Sequence, residues 1–266
     1  MSTSPAISVR GLSKQYGEFV AVRGIDFEVS HAEVFALLGP NGAGKTTTIR
    51  MLMGILQPTV GTAQILGLDC FSQRPDIMRS VGYLPDEPLF QDFLRGREIL
   101  QFVAEMHGLR AADAMRRVQP LLDRLALSDD LEEFAVNYSH GMKKKMGLAC
   151  ALLHQPSVLI LDEPTNGLDP FATREVHQII RQTAHDGGTV LLSTHLLEQA
   201  ERLCDRAAIL HKGALAAQGK LEDLRRNVSG SATLEEVFFA VAGGAPEDGR
   251  PAPPVATPPD NDLKPE

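Results

Sequence analysis

The sequence predicts an α/β fold with an N-terminal antiparallel β-subdomain and a helical subdomain inserted in mid-chain. Three observations predict it. Short apolar strands with turn signals occupy the first thirty residues and return after residue 158. Between them, over 88–155, the apolar residues switch to a helical period. A buried strand, a glycine-rich turn and a helix follow one another over 34–53.

Val20, Val22, Ile25, Phe27 and Val29 approximate a two-residue period, with a turn near Tyr16 and Gly17. Val34–Leu38 reads as a buried strand, and the helix after it runs through Ile49, Leu52 and Met53. A strand pair is expected at 61–66 and 81–84. Two helical stripes follow, one through Ile99, Leu100, Phe102, Val103 and Met106 and one through Val118, Leu121, Leu122 and Leu125. A helix over 143–153 leads into a strand at 158–161. Then come a helix at 173–184, a strand at 189–193, a helix at 196–203 and a strand at 207–210. The ordered domain is placed at 5–240. Residues 243–266 hold seven prolines and no aromatic, too little apolar surface to offset the entropy of ordering, and read as a disordered tail.

The 266 residues, 43% of them hydrophobic, can bury a full core. A net charge of −8 argues against a dedicated nucleic-acid binder, which needs a basic face. Cys70, Cys150 and Cys204 lie far apart, which suits a reducing compartment and offers neither a disulfide framework nor a zinc site. No apolar run reaches the ~20 residues of a membrane helix, and the N-terminus has no secretory pattern. A cytoplasmic protein is expected, with any membrane role coming through a partner.

The most specific motif is Gly39, Pro40, Asn41, Gly42, Ala43, Gly44, Lys45 and Thr46, followed by Thr47. It matches G-x-x-x-x-G-K-[ST] between a strand and a helix, the context a phosphate loop requires. Its glycines let backbone N–H groups turn inward around phosphates, and the helix aims its positive end at them. Lys45 would reach β- and γ-phosphates, and the Thr46 hydroxyl would ligate Mg²⁺. Downstream, the apolar strand 158–161 ends in Asp162 and Glu163. At a strand tip beside the phosphate loop, Asp162 suits Mg²⁺ and Glu163 suits the attacking water. His195 ends the next strand and would lie near the γ-phosphate in a parallel sheet.

A further element is Tyr138-Ser139-His140-Gly141-Met142, just before a helix and three successive lysines. Ser139 is a natural N-cap and Gly141 permits close backbone approach, so this helix start could also bind phosphate. It lies in the helical insertion, away from its own phosphate loop. That implies a head-to-tail dimer in which each subunit completes the other's site. An ordinary helix cap with a solvated first turn would look the same.

Together these segments resemble the ATP-binding cassette (ABC) ATPases over residues 5–240, which implies a P-loop NTPase core of ABC type. Gly39–Thr47 resembles the Walker A motif, and Val158–Glu163 the Walker B motif. Asn166, Gly167, Leu168 and Asp169 are similar to the D-loop, and His195 to the switch histidine. Tyr16 matches the aromatic that stacks on adenine. Residues 138–142 occupy the place of the signature motif, keeping Ser139 and Gly141 but with His140 for a glycine and Met142 for a glutamine. Residues 82–88 resemble the Q-loop, with Asp86 where most members have glutamine.

The resemblance implies an ATPase using ATP and Mg²⁺, with Asp86 as a further metal ligand unless Glu87 serves by a one-residue slip. It also implies a separate transmembrane permease chain, pairing as a homodimer or heterodimer, and a place on the cytoplasmic face of the membrane. No nucleic-acid partner is expected. The YLP-acid-acid segment, the altered signature and Leu234-Glu235-Glu236-Val237-Phe238 resemble the drug, antibiotic and lipid exporter branch. An importer subunit and a soluble ABC-type ATPase acting on DNA or ribosomes are the alternatives.

Overall fold

A computed structural model of the protein describes residues 4–226 and 233–243. In chain order its first half runs β1 (Ile7–Tyr16), β2 (Phe19–Val29), β3 (Val34–Leu38), α1 (Lys45–Leu52), β4 (Val60–Ile65), β5 (Leu68–Asp69), α2 (Arg74–Met78) and β6 (Val81–Leu84). Three longer helices follow: α3 (Gly96–Met106), α4 (Ala111–Arg124) and α5 (His140–Leu152). The chain then alternates through β7 (Val158–Asp162), α6 (Pro170–His185), β8 (Thr189–Thr194), α7 (Leu197–Leu203) and β9 (Arg206–His211). It closes with β10 (Ala214–Lys220), α8 (Leu221–Arg226) and α9 (Leu234–Gly243). The expected tail lies, but for Gly243, outside the described residues.

Two sheets result. The first is antiparallel, in the order β2-β1-β4-β5, with Tyr16 opposite Phe19 at the hairpin end. The second has the order β10-β9-β3-β8-β7-β6, parallel except for the edge strand β10. Every residue of β3, β7 and β8 is buried, the pattern of central parallel strands covered on both faces.

The two-residue strand period divides the core. Phe35 and Leu37 of β3 join Ile160, Leu191 and Leu210 on the face toward the antiparallel sheet and α1. Val34, Ala36 and Leu38 point the other way, into a cluster with Leu161, Leu192, the inner faces of α3, α4 and α5, and the later helices. The layers thereby fix the carboxyl ends of β3, β7 and β8 side by side, where an open parallel sheet presents its ligand site.

Some sequence expectations change. The segments 61–66 and 81–84 are strands but do not pair: β4 lies between β1 and β5, whereas β6 borders β7. Gly82 shows why β6 belongs to the larger sheet. A Cβ there would sit 2.1 Å from the Ala151 carbonyl oxygen, so glycine admits α5 against the strand. Helix α5 starts at His140 rather than Lys143, because Ser139 caps it by accepting a hydrogen bond from the Met142 N–H at 3.2 Å. Short α2 and β10, with few large apolar residues, gave no periodic signal.

Candidate active site

The phosphate loop leaves β3 through Gly39, whose φ is +152°; a Cβ there would lie 2.4 Å from the Leu210 carbonyl oxygen. Gly44, with φ +103°, caps α1 and approaches the Ala21 carbonyl oxygen, which an added Cβ would meet at 2.8 Å. Side chains are thus excluded at both ends of the loop. Helix α1 then opens with Lys45, and its first-turn N–H groups lack intrahelical acceptors, as at any helix start. The cleft in front of them, about 220 Å³, is lined by residues 40–47 with Phe19, Ala21, Asp86 and Glu163.

Lys45 is buried. Its ammonium donates to the carbonyl oxygens of Gly39 (2.7 Å) and Pro40 (3.3 Å) and lies 3.2 Å from Glu163 Oε1. That last approach has ion-pair distance without hydrogen-bond alignment, since Oε1 carries no hydrogen bond. The other oxygen, Oε2, is 3.0 Å from His195 Nδ1. Glu163 itself adopts φ +46°, a left-handed backbone that non-glycine residues take at a cost. Its N–H donates to Ser193, to both the carbonyl and the hydroxyl oxygen at 3.2 Å, which holds this turn on the end of β8.

Asp162 is almost fully buried, and burial pushes its carboxyl up from the usual range. Hydrogen bonds from the Ser193 and Thr46 hydroxyls oppose that shift, while the charges of Asp86 and Glu163 reinforce it. Its Oδ2 is buried without a hydrogen bond. A buried carboxylate oxygen lacking a donor, next to a threonine hydroxyl, suits a hard cation such as Mg²⁺. Among the described residues no group of three His, Cys, Asp or Glu could hold a metal by itself. Phosphate and water oxygens would have to complete the shell.

Asp86 lines the same cleft. Its Oδ1 accepts from Lys144 Nζ at 3.2 Å and Asn166 Nδ2 at 3.3 Å. Lys144 also donates to the Asp86 backbone carbonyl. Thr47 lies in the loop wall.

The remaining predicted residues stand apart from this cleft. Tyr16 does not line it; its half-exposed ring carries Lys14 Nζ 5.2 Å from the centroid, and Phe19 across the hairpin lines the cleft instead. Ser139 and Gly141 are not lining residues of their own chain's cleft. Asp169 caps α6, accepting from the N–H groups of Phe171 and Ala172 at 2.9 Å each, and these bonds hold its carboxyl below the usual range. His140 rests against Gly167: with φ +75°, a Cβ at Gly167 would lie 2.4 Å from His140 Cδ2. Sequence reasoning missed Phe19, Lys144 and Ser193. Only the lysine run gave a signal, since three cations at a helix start oppose its dipole.

Comparison with known proteins agrees with this chemistry. The sequence model of the ABC transporter family matches residues 22–166. An uncharacterized ABC transporter ATP-binding protein of Bacillus subtilis is 39% identical over 220 residues, 83% of this chain and 72% of that protein. A daunorubicin resistance ATP-binding protein of Streptomyces coeruleorubidus is 37% identical over 225 residues, 85% of this chain and 71% of that protein. The solved structure of an ATP-binding subunit of an ABC transporter superposes with a TM-score of 0.84 at 36% identity, covering 89% of this chain and 99% of that one. The chain belongs to the ABC transporter family, as an ATP-binding and ATP-hydrolysing subunit.

Proposed function

We propose that this subunit hydrolyses MgATP as one half of a head-to-tail pair, on the cytoplasmic face of a membrane beneath a separate permease that exports its cargo. The observation that carries the reading is the convergence of Lys45, Glu163 and His195 at the glycine-rich loop, where His195 lines an adjoining cavity with Gly39, Pro40 and Asn41. In this reading Lys45 and the α1 N–H groups hold the phosphates, and Thr46, Asp162 and Asp86 hold Mg²⁺. The unpaired Asp162 Oδ2 supports the place of Asp162 in that set. Bound Mg²⁺ neutralises phosphate charge. Glu163 takes up or orients the proton of the attacking water, and His195 fixes its carboxylate and faces the reacting phosphate.

Ser139 and Gly141 would address the partner's nucleotide, and Asp169 would shape the D-loop that meets it. Tyr16, beside Phe19, would receive the adenine. Among the described residues no helix is long and apolar enough to cross a membrane; a separate permease is supported by the likeness to proteins named as ATP-binding subunits of transporters. The name of the Streptomyces relative, a daunorubicin resistance ATP-binding protein, supports a drug-like cargo. Affinity capture from detergent-solubilised membranes tests the reading: a multi-span membrane protein should co-purify stoichiometrically and stimulate the ATPase. Recovery of ribosomes or nucleic acid in its place would overturn it.

A further inference from the structure

Of the three consecutive lysines at the start of α5, only Lys144 is buried, its side chain 1% exposed. An ammonium taken out of water needs acceptors, or it gives up its proton or opens the core. Lys144 finds them on one residue, donating to both the backbone carbonyl and Oδ1 of Asp86. Burial is the leading influence on Lys144 and lowers its pKa, while Asp86, Asp162 and Glu163 all act to keep it charged. The same Oδ1 accepts from Asn166, in the turn after β7. One carboxylate oxygen therefore ties together the loop after β6, the head of α5 and the turn that carries the acid pair.

The charge count gives this contact a second consequence. Asp86 and Glu163 line the cleft, and Asp162 lies close enough to feel both charges; Lys45 answers Glu163, at 3.2 Å, and Lys144 answers Asp86. A nucleotide brings further negative charge to the same place. Without Lys144, Asp86 would face the phosphates as an acid with no cation beside it, on a loop no longer fastened to α5.

We infer that Lys144 is a positioning residue for nucleotide binding. It fixes Asp86 in the cleft wall against the head of α5 and offsets its charge. This rests on the cleft being the ATP site. A chain with uncharged glutamine at position 86 would have no need of the cation.

The test is ATP affinity in EDTA, measured by fluorescence titration, so that metal binding by Asp86 does not enter. Lys144→Met should bind ATP about ten-fold more weakly, the order expected for one uncompensated charge about 10 Å from phosphate at an effective dielectric near 20. Asp86→Asn combined with Lys144→Met should return to within about two-fold of wild type. If Lys144→Met does not fold, Lys144→Gln, which keeps a donor for the Asp86 carbonyl, should show the same loss and the same rescue. Equal affinity in wild type and the single variant would overturn the inference, as would a double variant as impaired as the single one. Wild type that binds ATP neither in EDTA nor with Mg²⁺ would remove the cleft assignment itself, and the inference with it.

Discussion

The Lys45 ammonium lies 3.2 Å from Oε1 of Glu163, and Oε2 of that same carboxylate lies 3.0 Å from Nδ1 of His195. The lysine suited to phosphate is thus partnered by the acid suited to water. Both side chains are buried, where a charge pair costs much to separate unless a replacement partner arrives. In the proposed reaction incoming phosphates would be that replacement, taking the lysine and leaving Glu163 to His195 and water.

Glu163→Gln should therefore uncouple binding from turnover. Removing the competing charge leaves Lys45 free for phosphate, so ATP should bind at least as tightly as in wild type. Hydrolysis should fall by about 10²-fold or more, the usual effect of losing a general base. Size-exclusion chromatography with MgATP should show a dimer that wild type forms only transiently. Lys45→Ala should do the reverse and weaken ATP binding by about ten-fold or more. A Glu163→Gln protein that stays monomeric and still turns over would remove Glu163 from the reaction.

Ser139→Arg should abolish hydrolysis while leaving ATP affinity of the monomer within about three-fold of wild type, because Ser139 is not a lining residue of its own cleft. Its hydroxyl also caps α5, so a loss of about 1 kcal/mol in stability is expected as well. Denaturant melts separate the two effects. A collapse of monomer ATP affinity would argue for a role within the same chain.

Asp86→Asn should raise the Mg²⁺ concentration needed for half-maximal ATPase activity, whereas Glu87→Gln should not. An amide oxygen is the weaker ligand for a hard cation. Unchanged midpoints in both variants would take Asp86 out of the metal shell.

A pH effect is expected away from the cleft. His154 stacks on His107, ring centroids 3.7 Å apart, with Nε2 3.1 Å from the Val81 carbonyl oxygen. Burial, then the neighbouring His107, lower its pKa from 6.5 to about 4. As pH falls through that window the unfolded chain binds a proton that the folded one refuses, so stability declines with acid and levels off below it. His107 is shifted in the same direction by burial. Thermal melts between pH 7.5 and 5 should show the midpoint falling by several degrees. His154→Gln should flatten that slope, and an unchanged slope would refute the assignment.

Much of the site was legible because its parts are local. A glycine loop between a strand and a helix, two acids at a strand end and a histidine after the next strand each need only neighbours in sequence. Their assembly follows from parallel pairing of β7 with β8 and β8 with β3. What was hidden depends on packing across the chain. Three lysines in a row look alike; the seating of Gly147 against Leu84 and Pro88 orients α5 and leads only Lys144 inward. The separation of β4 from β6 was equally hidden, because strand period names a strand but not its neighbour. Phe19 went unread since an aromatic at a hairpin end has many ordinary uses.

The contact between His140 and Gly167 carries a consequence for descent. A β-carbon at 167 would collide with the imidazole, and the left-handed backbone there independently favours glycine. Of the other residues, asparagine tolerates that backbone best, but it would still need the space His140 fills. In an alignment of kindred chains the two columns should therefore be inherited together. Asparagine at 167 should be commonest beside glycine at 140, and a bulky residue at 140 should favour glycine at 167.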